Sequence, residues 1–133
     1  MSTKTIAAKL QIKSGTTIWI SHPDRRHLFE PFPDGVTVAD DLSRASLALA
    51  FADDSTGIRE ILQAQHSHLA DLNILWVVYP KANRTDVNRD SLWPILSEFG
   101  MRPNSQVAVD DVWSALRFRP LKEGEEPFKA GGS

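Results

Sequence analysis

Short apolar segments, separated by turns and by amphipathic stretches, organise this chain. Most are rich in β-branched or aromatic residues, which favour a pleated strand. In Ser46–Ala52 a large apolar residue alternates with alanine, so both faces are apolar and we expect a strand buried on both sides. The segments predicted as strands are Thr16–Ile20, Val36–Ala39, Ser46–Ala52, Asn73–Tyr79, Gln106–Val109 and Trp113–Arg119.

Two amphipathic helices are predicted between these strands. The first follows Asp54 or Ser55, either of which can cap a helix by accepting a bond from a free backbone amide. The second follows Asp90 or Ser91 and ends before Gly100. Residues at helical spacing form their buried faces: Ile58, Ile61, Leu62, Gln65, Leu69 and Leu72 in the first, and Leu92, Ile95, Leu96 and Phe99 in the second.

The alternation of strands and helices predicts one α/β domain over residues 1–123. Helices between buried strands require a parallel sheet that is covered on both faces, which makes a three-layer sandwich. The tight connection at Asp110-Asp111 reverses the last strand, so we expect a mostly parallel six-stranded sheet with one antiparallel strand near the edge. Residues 124–133, charged and then glycine-rich, are expected to form a disordered tail.

Composition excludes several classes of function. The formal net charge is −2, which disfavours a nucleic acid or an anionic membrane as the partner. Cysteine is absent, so disulfides, thiolate metal sites and a cysteine nucleophile are excluded. No apolar segment has the length of a signal peptide or a membrane span, and we expect a cytoplasmic protein.

The sequence after the first predicted strand differs from that of nucleotide-binding domains. Those domains place glycines there, so that the backbone and a helix N-terminus can approach a phosphate or a ribose. Here no glycine occurs between Thr16 and Asp34. We therefore predict no cofactor and expect bulky side chains, with His27, Leu28 or Phe29 as candidates, to fill that space.

The carboxyl ends of the parallel strands are the expected place for any small-molecule ligand. Polar residues that follow the predicted strands meet at this edge. The weak candidates for ligand binding are His22, Asp24, Asp40, Lys81 and Asp110. Their spacing matches no standard metal motif and no nucleophile–base pair, so neither a metal site nor a catalytic residue is predicted.

A protein partner, or a second copy of this chain, is the other possible binding partner. Tryptophan and arginine are enriched among residues that dominate interface energetics. The candidate interaction residues are Trp93, Trp113, Arg117 and Arg119.

The segment DVWSALRFR, Asp111–Arg119, is the most specific part of a resemblance that extends over nearly the whole chain up to the tail. The segments KLQIKSG, PDGVTVADDL and WVVYPKA also fit it. Together they resemble a small family of bacterial domains of unknown function, frequent in actinobacteria, whose fold is similar to a shortened S-adenosylmethionine-dependent methyltransferase. The resemblance implies a Rossmann-like sheet with the first strand central and the last strand antiparallel beside the fifth. It also implies that Asp40 or Asp41, at the end of the second strand, would hold ribose hydroxyls.

Two functions are compatible with these observations. The first is a non-catalytic Rossmann-like domain that acts through protein–protein or regulatory contacts, because the glycine loop is missing. The alternative is a degenerate small-molecule or S-adenosylmethionine-type binder, or a methyltransferase. An open cavity of about 300 Å³ or more behind the first strand would favour a ligand. A space filled by His27, Leu28 or Phe29 would favour the interaction function.

Overall fold

A computed structural model describes residues 5–69, 72, 74–81, 87 and 89–120. The strands are β1 (Thr17–Ile20), β2 (Thr37–Val38), β3 (Leu47–Phe51), β4 (Ile74–Pro80), β5 (Met101–Ala108) and β6 (Trp113–Pro120). The helices are α1 (Ile6–Lys9), α2 (Ser55–Ala64), α3 (His66–Leu69) and α4 (Arg89–Glu98), with 3₁₀ helices at Pro23–Phe29 and Leu42–Arg44. The predicted tail, residues 124–133, lies outside the described residues.

The six strands form one sheet in the order β2-β1-β3-β4-β6-β5. The pairs among β1, β2, β3 and β4 are parallel, whereas β6 is antiparallel to both β4 and β5. The predicted fold class is therefore confirmed, with the reversed strand one place from the edge. The position that the resemblance implied for the last strand, beside the fifth, is confirmed as well. The first strand is interior but not central, because only the two-residue β2 lies outside it.

Helices cover both faces of the sheet, as predicted. On the face that carries Ala48, Ala50 and Ala52, which we call the α2 face, buried residues of α2, α3 and α4 pack against the strands. On the opposite face, called the α1 face, residues of α1 and Phe29 pack against β1, β3 and β4. The alanines present little side-chain bulk, so the helices of the α2 face can approach the sheet closely.

Four elements differ from the sequence prediction. α4 begins at Arg89, so Asp90 and Ser91, which were predicted as its caps, lie inside the helix. β5 begins at Met101 instead of Gln106, because pairing with β6 holds residues with poor strand propensity in the extended conformation. The register of this pairing is irregular between Pro103 and Ser105. The first predicted helix is divided, since α2 ends at Ala64 and α3 begins at His66. The helix α1 was not predicted, and it leads to the carbonyl of Leu10, which accepts a 2.9 Å hydrogen bond from the indole of the buried Trp76.

Within the described part of the chain, the helices are too short or too polar to cross a membrane.

Replacing Phe29 with alanine is expected to lower the free energy of unfolding by about 3–5 kcal/mol, because its ring is fully buried beneath β1 and β3. The matched control is His27→Ala in the same 3₁₀ helix, where an exposed side chain is removed and the change should stay within about 0.5 kcal/mol. Urea unfolding of both variants measures the difference. Equal effects would show that Phe29 does not support the sheet in this way.

Candidate functional site

The crevice between β1 and β3 is the topological switch point of the sheet. The chain leaves β1 toward β2 on one side and leaves β3 toward β4 on the other. Neighbouring parallel strands whose connections diverge leave a gap at their carboxyl ends, and open α/β sheets bind ligands there. Ser21 and His22 follow β1, and Asp53 lies just beyond β3.

An open pocket of about 350 Å³ lies at this switch point, between the ends of β1 and β3 and one side of α2. We call it the switch-point pocket. Its lining residues are Trp19, Ser21, His22, Phe51, Asp53, Gly57, Glu60, Ile61, Ala64 and Gln65. The volume is at the lower end of the range for small-molecule sites and above the threshold of about 300 Å³ that favours a ligand.

One side of α2 forms a wall of the pocket. Its contributing residues recur at helical spacing, from Gly57 through Ile61 to Gln65. The helix starts at a fixed position because the carboxylate of Asp54 accepts a 2.6 Å bond from the amide of Gly57. Ile61 and Gln65 were both predicted in the buried stripe, but each is only half-buried. The predicted stripe therefore contains part of the pocket as well as part of the core.

Bulky side chains fill the crossover after β1, on the α1 face. Phe29 is fully buried there, Leu28 is half-buried, and His27 is exposed. The prediction that His27, Leu28 or Phe29 fills this space is therefore confirmed, and the residue that does so is Phe29. The sequence reasoning missed Arg25, whose guanidinium lies 4.9 Å from the ring centre of Phe51 and 5.3 Å from that of Trp113.

Arg25 also forms a bidentate ion pair with Asp53. Its two terminal nitrogens donate to the two carboxylate oxygens at 2.7 and 3.0 Å. The hydrogen bonds from Arg25 lower the pKa of Asp53, and the same bonds raise the pKa of Arg25. Both groups therefore stay charged at neutral pH, and the pair ties the 3₁₀ helix Pro23–Phe29 to the end of β3.

Ser21, His22 and Asp53 are neighbours but do not form a catalytic triad. The hydroxyl of Ser21 lies 2.8 Å from Nδ1 of His22 and accepts a 2.8 Å bond from the amide of Phe51. The Nε2 of His22 is 4.0 Å from Asp53, beyond hydrogen-bond distance, and both oxygens of that carboxylate bind Arg25. The serine therefore extends the hydrogen bonding at the end of the sheet.

Only one of the five predicted ligand-binding candidates lines the switch-point pocket, and that residue is His22. Asp24 and Asp40 are exposed, outside the pocket. The ammonium of Lys81 donates a 2.5 Å hydrogen bond to the carbonyl of Asp110. The carboxylate of Asp110 in turn accepts hydrogen bonds from the amides of Val112 and Trp113. Lys81 and Asp110 therefore hold the turn between β5 and β6 against the end of β4.

The acidic residue that the resemblance implied as a ribose ligand has two candidates, Asp40 and Asp41. Asp41 caps the 3₁₀ helix Leu42–Arg44 by accepting a 3.1 Å bond from the amide of Ser43. That bond lowers the pKa of Asp41. Neither side chain lines the switch-point pocket.

The predicted interaction residues are divided between the two faces. Trp113 packs on the α1 face, and alternation along β6 places Arg117 and Arg119 on the same side. Trp93 packs on the α2 face from α4. The four residues therefore do not form one surface.

Trp19, Phe51 and Glu60 are pocket residues that the sequence reasoning missed. The two aromatic residues have the same local pattern as core residues. One signal was present on the helix, where Gly57, Ile61 and Ala64 extend the apolar face of α2 beyond what the sheet covers.

Comparison with solved structures identifies the fold. The chain is similar to an NADB-Rossmann superfamily protein from Streptococcus agalactiae, with a TM-score of 0.61 and 10% identity over 98% of this chain and 72% of that protein. It is similar to a proposed tRNA (m1A22) methyltransferase from Streptococcus pneumoniae, with a TM-score of 0.57 and 11% identity over 95% and 70% of the two chains.

It is also similar to the magnesium protoporphyrin IX methyltransferase of Synechocystis with bound S-adenosylmethionine, with a TM-score of 0.54 and 6% identity over 87% and 74%. No protein-family model matches the chain, and no curated protein matches it in sequence. The expected resemblance to methyltransferases is therefore confirmed for the fold, which is Rossmann-like and methyltransferase-like.

Replacing Arg25 with glutamine is expected to raise the pKa of Asp53 toward its usual value. The loss of stability at neutral pH should be at most about 1 kcal/mol, because the side chain of Asp53 is 44% exposed. The folded pKa of Asp53 is lowered, so this stabilisation is present above the unfolded carboxyl pKa of about 3.9 and disappears as the pH falls through the folded value.

Carboxyl NMR titration of the wild type and the variant measures the shift, and urea unfolding at pH 7 and below pH 4 measures the stability. Arg26→Gln, at an exposed neighbouring position, is the control. An unchanged pKa of Asp53 in the Arg25 variant would contradict the prediction.

Proposed function

We propose that this chain is a non-catalytic Rossmann-like domain that binds a small molecule in the switch-point pocket and acts through regulatory contacts. One observation carries the proposal: an open volume of about 350 Å³ lies at the place where open α/β sheets bind their ligands. The similar folds of Rossmann and methyltransferase proteins are consistent with binding, but a fold by itself does not supply chemistry.

The chemistry of the lining residues supports binding without catalysis. A general acid or base works best when its pKa is near the working pH. Asp53 and Arg25 are shifted in opposite directions, each away from neutral pH, because each stabilises the charge of the other. Ser21 is hydrogen-bonded to a backbone amide and lacks a histidine that is oriented by a carboxylate.

Trp113 supports the regulatory part of the proposal. Its ring packs edge-to-face on Phe51, at 5.3 Å between ring centres, and Phe51 lines the pocket. Trp113 also begins the strand that carries Arg117 and Arg119 on its α1 face. A ligand that moves Phe51 would therefore act on Trp113, one of the candidate interaction residues.

Filling the pocket is expected to abolish ligand binding. A fragment library is screened against ¹⁵N-labelled protein, and bound fragments should shift the amide signals of Ser21, Asp53 and Gly57. In Ala64→Phe a ring projects into the pocket from an exposed helix position, and these shifts should be lost. The control is Ala8→Phe, at an exposed position in α1 outside the pocket, which should bind like the wild type. Fragments that map elsewhere, or that bind Ala64→Phe unchanged, would refute the proposal.

Binding of S-adenosylmethionine, with or without methyl transfer, is the second candidate function. It is favoured by the similarity to a methyltransferase whose structure contains that cofactor. It is disfavoured by the crossover after β1, where the side chains of Arg25 and Phe29 occupy the space in which nucleotide-binding domains expose backbone amides.

We expect no rise in melting temperature when millimolar S-adenosylmethionine or S-adenosylhomocysteine is added. A ligand at a hundred times its Kd would stabilise the folded state by about 2.7 kcal/mol, a shift of several degrees for a domain of this size. Thermal unfolding with and without each compound is the measurement, and ATP is the control for unspecific nucleotide effects. A rise seen with either compound but not with ATP would favour the cofactor-binding function.

A further inference from the structure

The charge balance of the switch-point pocket is set by Glu60. Two of the described lining residues carry carboxylates, and that of Asp53 is neutralised by its bidentate pair with Arg25. No described residue forms a hydrogen bond or an ion pair with the side chain of Glu60. Arg25 itself does not line the pocket. The pocket therefore presents one uncompensated negative charge.

On the β1 side, the lining of the pocket is aromatic. Trp19, on the α2 face of β1, is half-buried and lines the pocket instead of being fully covered by α2. The electron-rich face of an indole attracts cations, more strongly where water is partly excluded. Ile61 and Ala64 add apolar surface beside it. An anionic ligand would instead meet the carboxylate of Glu60, and none of the described lining residues is an arginine or a lysine that could balance its charge.

We propose that the switch-point pocket takes a small organic cation, in which an ammonium group is attached to an apolar or aromatic body. The ammonium lies between Glu60 and the indole of Trp19, and the body lies against Ile61 and Ala64. His22 and Gln65 supply polar groups at the rim of the pocket. This inference rests on the proposed function, since it specifies the ligand class of the same site.

Three probes that share a phenyl ring and differ in charge test the inference. They are phenethylamine, phenethyl alcohol and phenylpropionate, which are a cation, a neutral molecule and an anion at pH 7. NMR titration follows the amides of Ser21, Asp53 and Gly57. The amine should bind about tenfold more tightly than the alcohol, from the ion pair and the cation–π contact together. The anion should bind more weakly than the alcohol.

Glu60→Gln isolates the charge. The position is exposed on α2, so the variant should fold like the wild type. Its affinity for the amine should fall about two- to fivefold, while its affinity for the alcohol stays the same. The control is Asp40→Asn, which removes an exposed carboxylate outside the pocket and should leave both affinities unchanged.

The outcomes separate this inference from the proposed function. If the alcohol binds in the pocket as tightly as the amine, or if Glu60→Gln leaves the affinity for the amine unchanged, the cation preference is overturned while small-molecule binding stands. If the fragment library finds no ligand at the amides of the pocket, the proposed function fails and the inference fails with it. Preferential binding of the amine that Glu60→Gln removes and Asp40→Asn retains would support both.

Discussion

The ion pair between Arg25 and Asp53 fixes the packing at the carboxyl ends of β1 and β3. It fastens the glycine-free crossover after β1 to the end of β3, with the guanidinium packed on Phe51 and Trp113. Phe29 fills the space beneath it. In nucleotide-binding domains this crossover exposes backbone amides to a phosphate or ribose, and here charged and aromatic side chains have replaced that surface. The switch-point pocket lies beside this crossover, between the ends of β1 and β3 and one side of α2.

The pocket exists because the helices that pack on the α2 face cover β1 incompletely. α2 follows β3 and packs over the central strands, while only the short 3₁₀ helix Leu42–Arg44 lies between β2 and β3. Trp19 is therefore half-buried, unlike the fully buried residues of the neighbouring strand β3. The ring of Trp19 and the carboxylate of Glu60, which has no partner among the described residues, both line the pocket at that gap. The fold alone, which is methyltransferase-like, does not determine what such a pocket binds.

The sequence predicted much of the fold because the core has strong periodic patterns. The alternating segment around Ala48 and Ala50 indicated a strand buried on both faces, and the connection at Asp110 indicated the reversed strand. It missed the first half of β5, where pairing with β6 outweighs the poor strand propensity of Pro103 and Ser105. For the site, the sequence indicated His22 and the bulky side chains that fill the space after β1, but it did not indicate Trp19 or Glu60.

The sequence alone therefore determined the layers, the sheet and the lack of a glycine loop, because these depend on residue type and on spacing along the chain. The tertiary structure decided where the open space lies and which charges are left over. Arg25 and Asp53 are 28 residues apart, and no local pattern shows that they meet. Their pairing neutralises one carboxylate and leaves that of Glu60 as the charge of the pocket. A cavity is the space between elements, so it follows from their packing and has no sequence signal of its own.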